Sequence, residues 1–111
     1  MSSLKLINRS YVRVIPKNAF WQGIDPNGKD REFHQFHEPT LYLLEEELWD
    51  ERFFLEKNYL KIAHFEFQQH LEIAEIPQHL PKTVEDFNEL FEMGFGSTVV
   101  DLLLKPGLGY L

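Results

Sequence analysis

Four groups of residues in this chain have the types and spacing to do chemistry. The first is His34-x-x-His37, with Glu32 and Glu38 beside it. Imidazole pairs hold a metal when their nitrogens converge. Spacing i, i+3 achieves that on a helix, but on an extended strand the two side chains point to opposite faces. This segment reads as extended, or as a turn before Pro39, so two solvent-facing or capping histidines are expected rather than metal ligands. The second group is Glu66 and His70, which stack at i, i+4 if their segment is helical. A carboxylate beside an imidazole raises the imidazole pKa and can serve as a general acid–base pair. With no nucleophile or phosphate loop alongside, a satisfied polar contact at the edge of the core is the expectation. The third is Gly94-Phe95-Gly96-Ser97-Thr98. A Gly-x-Gly before a helix start resembles a phosphate cradle, but no strand precedes it and no Lys follows it, so neither nucleotide fingerprint is met. No catalytic residue, metal or cofactor is expected from these three.

The fourth group is a pattern of acids and aromatics. It centres on Pro39–Lys57, which carries Glu45, Glu46, Glu47, Asp50 and Glu51 among Leu41, Leu44, Leu48, Leu55, Tyr42, Trp49 and Phe53. Placed on a helical wheel, the four leucines form one core stripe, and Tyr42, Trp49 and Phe53 cluster roughly 100° away. Glu46 and Asp50 sit just beyond the aromatics. A second acidic face is expected on a helix Val84–Met93, where Glu85, Glu89 and Glu92 fall outward and Val84, Phe87 and Phe91 inward. Large aromatics anchor interfaces, and a carboxylate rim gives bidentate sites for Arg and faster association with a cationic partner. The candidate partner-binding residues are therefore Tyr42, Glu46, Trp49, Asp50, Phe53, Glu85, Glu89 and Glu92. The competing possibility is that the aromatics face a second layer of core.

These groups need elements to position them. Leu4–Lys17 alternates with period two and predicts a strand, broken near Asn8–Ser10, with Leu4, Leu6, Val12 and Val14 on one face. Its other face carries Lys5, Arg9, Arg13 and Lys17, expected to pair with the chain's own acidic helices. Asp25-Pro26-Asn27-Gly28 is a turn, with Ala19–Ile24 and Arg31–Phe36 as possible hairpin strands. Pro39 starts the acidic helix and Asn58 breaks it. Tyr59–Ile76 is ambiguous: KIAHFEF alternates like a strand, but no turn residue falls at Gln68-Gln69-His70. A helix puts Lys61, His64, Gln68, Glu72 and Glu75 on one polar face and is preferred, with Pro77 ending it. Thr83 caps the Val84–Met93 helix and Gly94 closes it. Ser97 caps a last helix, Thr98–Leu104. The expected fold is α+β: N-terminal strands or a hairpin packed on a mainly helical remainder of about four helices.

Composition bounds the rest. The 111 residues suit one globular domain, and ten Phe argue against disorder. There are no cysteines, so disulfides and thiolate chemistry are excluded. No apolar run reaches the length of a membrane span, and the first residues lack the apolar stretch of a signal peptide, so a cytoplasmic protein is expected. Net charge is −7 and uneven. Residues 1–31 hold six basic and two acidic groups; residues 32–111 hold five basic and sixteen acidic. Such a body repels nucleic-acid phosphates and attracts a basic partner.

In size, charge and its acidic stretches LLEEELWDERFF and TVEDFNELFEMGFG, the chain resembles the immunity proteins of bacterial polymorphic toxin systems, the contact-dependent growth inhibition group in particular. That resemblance implies a cytoplasmic, non-enzymatic protein that binds a cognate toxin domain, often a basic nuclease, and blocks it. Two other classes fit the same residues: a small metal-binding enzyme using His34, His37, Glu66 and His70, and a phage-encoded inhibitor or assembly adaptor.

Overall fold

A computed structural model describes residues 5–7, 10–29, 37–44 and 50–102, with the side chains of 5–7 and 101 outside that description. The fold is α+β, as its sequence patterning predicts. The described elements are β1 (Lys5–Ile7), β2 (Tyr11–Pro16), α1 (Asn18–Ile24), β3 (Thr40–Leu43), α2 (Glu51–Gln68), a 310 helix (Ile73–His79), α3 (Val84–Leu90), β4 (Phe91–Gly96) and β5 (Val99–Asp101).

β2 is the centre of an antiparallel sheet of order β3-β2-β4. Its alternation is the expected one: Val12 and Val14 are fully buried and Arg13 is exposed. Register sets Val12 opposite Tyr42 and Phe95, and Val14 opposite Thr40 and Met93, so these side chains share the inner face. Tyr11, Arg13 and Ile15 share the outer face with Leu41, Leu43 and Glu92. β1 pairs with β5 as a separate two-stranded ribbon; Asn8 and Arg9, where the strand was expected to break, lie outside the described residues.

The turn at Asp25–Gly28 forms as expected. Gly28 has φ 66°, its N–H donates to Asp25 O at 3.0 Å, and Asp25 Oδ1 accepts from Lys29 N. The segment before it is α1, not a hairpin strand. Asp25, pushed out of helical geometry by Pro26, ends α1 at φ −140°. The other proposed flank, Arg31–Phe36, lies outside the described residues.

Pro39–Lys57 does not form one helix. Thr40–Leu43 is strand β3, and the helix starts eleven residues later than Thr40, where the Asp50 carboxylate caps the N–H of Phe53. Nor does Asn58 break it. Asn58 Nδ2 donates back to Phe54 O one turn earlier, and α2 continues to Gln68. Of the expected leucine stripe, Leu55 is buried, Leu44 is half-buried and Leu41 is exposed; Leu48 lies outside the described residues. The helix preferred for Tyr59–Ile76 is present as far as Gln68, then turns at Gln69–Glu72 into the 310 helix. That helix passes through Pro77 instead of stopping there, because proline's φ near −65° suits 310 backbone.

Thr83 caps α3 as expected, its Oγ1 accepting from Asp86 N at 3.1 Å. The helix ends at Leu90, before Met93, and passes directly into β4, whose first residue Phe91 has extended angles. Gly94 is therefore a strand residue and not a helix stop, and Val99–Asp101 is a strand where a helix Thr98–Leu104 was expected. Gly96 has a packing reason: a Cβ there would lie 2.2 Å from the Tyr11 ring, which rests on the strand at that point.

α2 crosses the inner face of the sheet, and α1 and α3 close its flank. The core is aromatic: Phe20 lies 4.7 Å from Phe67 and 5.2 Å from Phe91, and Phe87 lies 4.8 Å from Phe91. Val12, Val14, Leu55, Ile62, Ala63, Ile76 and Val84 complete it among the described residues.

Candidate functional site

The first turns of α2 and α3 lie side by side. Each helix has its own cap, Asp50 and Thr83, and each exposes carboxylates immediately after it: Glu51 on α2, Glu85 and Asp86 on α3. Acids there are favoured by the partial positive charge of a helix N-terminus. Arg52 joins the two helices. Its guanidinium donates to Glu85 Oε1 at 2.8 Å and to Glu56 Oε1 at 3.0 Å. These contacts hold the Glu85 carboxyl below its usual range, first through the Arg52 hydrogen bond, and push Arg52 upward through the same bond. All three side chains are more than half exposed, so the bridge orients the surface more than it stabilises the fold.

Phe53, the next residue, stands 54% exposed at this surface. The ammonium of Lys57 sits 4.6 Å from its ring centroid. The ring therefore already holds a cation in the manner of a cation–π contact. Glu89, one turn beyond Glu85 on α3, is exposed as well. Asp50 and Glu56 stand three residues to either side of Phe53 on the same helix and Glu51 is exposed in the same turn, so this face of α2 can accept a guanidinium by stacking and by carboxylate hydrogen bonds together.

Four of the eight candidate residues thus belong to this paired-helix surface: Asp50, Phe53, Glu85 and Glu89. Asp50 has a structural duty there too, as the α2 cap. Tyr42 does not belong to it. It points inward from β3 and donates its hydroxyl to Glu66 Oε2 at 2.5 Å. Glu92 is on β4 rather than a helix and is exposed on the outer face of the sheet, opposite Ile15. Glu46 and Trp49 lie outside the described residues. Arg52, Glu56 and Lys57 were not singled out from the sequence, although Arg52 and Glu56 stand at helical i, i+4 spacing.

The two histidine groups separate differently from expectation. Glu66 is 1% exposed, turned toward Tyr42, with its Oε1 buried and without a hydrogen bond. Burial first, then the hydrogen bond to the Glu66 carboxylate, raises the Tyr42 pKa well above the ordinary tyrosine value. His70 lies beyond the end of α2, its N–H donating to Phe67 O, and packs against Phe20 and Trp21. Of the His34–His37 pair, His34 lies outside the described residues, while His37 joins the Trp21–His70 cluster. No group of three or more metal-ligating residues converges among the described residues. Of the N-terminal cations, Lys17 is tied to the chain's own helix as expected, but through a carbonyl: its Nζ donates to Asn88 O in the last turn of α3.

Among the described residues, no helix is long and apolar enough to cross a membrane. No protein-family model, curated protein or solved structure matches this chain.

Proposed function

We propose that this chain is a cytoplasmic binding protein that neutralises a cognate toxin domain, a basic nuclease being the expected class, by docking it on the paired first turns of α2 and α3. The reading rests above all on Phe53: an exposed aromatic ring carrying one cation, on a helix whose first turns also expose Asp50, Glu51 and Glu56. A partner's arginine would displace Lys57 from the ring and pair with Glu85, Glu51 or Glu56. The net charge of −7 would steer a basic partner toward this surface and repel nucleic acid from it. The likeness to contact-dependent growth inhibition immunity proteins points the same way. Neutralisation in this scheme is steric and electrostatic and needs no catalysis.

The test is protection of bacterial cells that express a basic nuclease toxin domain, taken from a gene neighbouring that of this chain where one is found. Wild type is expected to protect, and Phe53→Ala and the double change Glu85→Lys with Glu89→Lys are expected to lose protection at equal expression. Full protection by both variants would remove the paired-helix surface from the function.

A further inference from the structure

We propose that the outward face of α2 docks a short acidic amphipathic helix of a partner protein. α2 is apolar on two sides. Leu55, Ile62, Ala63 and Phe67 are buried, yet Leu60 is 47% and Phe65 42% exposed. On a helical wheel Lys57, Leu60, Lys61, His64, Phe65 and Gln68 share an arc of about 140°, and all six are exposed. Phe53 carries the same stripe into the first turn of the helix. A single exposed apolar residue is ordinary, but Phe53, Leu60 and Phe65 on one helix face form a patch, which marks an interaction site. Lys57, Lys61 and Phe65 stand in one i, i+4 row, and Leu60, His64 and Gln68 in the next. Between two such rows runs the groove that takes the ridge of a second helix.

Charge identifies the occupant. The carboxylates of α2, Glu51, Glu56 and Glu66, all fall outside this arc. It carries Lys57, Lys61 and the His64 imidazole instead, in a chain where acidic residues outnumber basic ones by 18 to 11. Complementary charge across an interface therefore calls for an acidic partner. A second copy does not fit, because pairing this face with itself about a two-fold axis sets lysines against lysines. A bilayer or a nucleic acid presents an extended array of negative charge, which the body of the protein, at net −7, repels. A short helix meets the stripe alone: Lys57 to Gln68 spans about 16 Å, or three turns. The inference is independent of the surface proposed for a basic partner, since the two faces ask for opposite charge.

A displayed library of helical peptides of about 15 residues, randomised at their surface positions, tests it. Selection on wild-type protein, with counter-selection on the Leu60→Ser, Lys61→Glu variant, is expected to enrich peptides that set Asp or Glu beside Leu or Phe at helical spacing. Their affinity should fall at least tenfold on Leu60→Ser and on Lys61→Glu taken singly. It should be unchanged on Glu85→Lys with Glu89→Lys, which alters only the other surface. If Leu60→Ser loses its far-UV circular dichroism, Lys61→Glu and His64→Glu carry the same expectation. Selected peptides without acidic enrichment, or peptides that bind wild type and these variants equally, overturn the site. Vesicles of phosphatidylcholine and phosphatidylserine should not retain the protein; retention that Lys61→Glu abolishes would assign the face to a membrane and overturn the proposal too.

Discussion

Glu66 shows what a single residue contributes to this fold. It is a carboxylate in the core, held by one hydrogen bond from Tyr42 and left with its second oxygen unpartnered. Tyr42→Phe removes that bond and leaves both oxygens buried without a donor, so a loss of about 1–3 kcal/mol is expected in urea unfolding at neutral pH. Combining it with Glu66→Met should recover most of that loss, since an apolar pair is the cheaper occupant of such a position. Additive losses in the double variant would show that the bond carries no coupling. The pH dependence has a definite sign. Tyr42 keeps its proton more tightly folded than unfolded, so its contribution is complete below the ordinary tyrosine value of about 10. It is then lost as the pH rises through the higher folded value. Alkaline destabilisation should therefore be shallower in Tyr42→Phe. None of this was legible in the sequence. Tyr42 was grouped with Trp49 and Phe53 by helical spacing, and a cross-layer contact between residues 24 apart leaves no local signature. Phe53, by contrast, stands exposed where an interface anchor would need to be.

At the scale of elements, misplaced boundaries arise where local pattern and tertiary pairing disagree. Glu45–Glu47 with Leu44 and Leu48 is strong helix-forming composition, and it outweighed four alternating residues, Thr40–Leu43, that pair with β2. A strand edge gains its stability from its neighbour, which a local pattern cannot show. At the other end, Phe91, Met93 and Phe95 alternate with period two and two glycines follow the same rhythm. That signal for β4 was present, but Gly94 fits a helix stop equally well on local grounds. Elements with self-contained chemistry were read correctly: Val12 and Val14 in β2, the Asp25–Gly28 turn, and the Thr83 cap. Continuity of α2 through Asn58 is testable. Proline at an interior position removes a hydrogen bond and clashes with the preceding turn, so Asn58→Pro should cost about 3 kcal/mol or more, measured as a fall in urea midpoint. An unchanged midpoint would mean that the helix is interrupted there.

At the scale of the molecule, three strands and α2 make a two-layer body whose aromatic core fixes α2 against α3. That fixed pairing is what converts two separate acidic stretches of sequence, around Asp50 and around Glu85, into one surface. Charge composition motivates the proposal of a basic partner; the surface proposed for it needed the fold, because the Arg52–Glu85 contact joins residues 33 apart. The rate at which wild type associates with the purified toxin domain, measured against salt concentration, tests the docking surface most directly. A carboxylate-steered encounter should slow steeply as salt rises, and Glu85→Lys with Glu89→Lys should cut the low-salt rate at least tenfold while flattening that dependence. Equal rates and equal salt slopes for wild type and the double variant would contradict docking on the paired first turns of α2 and α3.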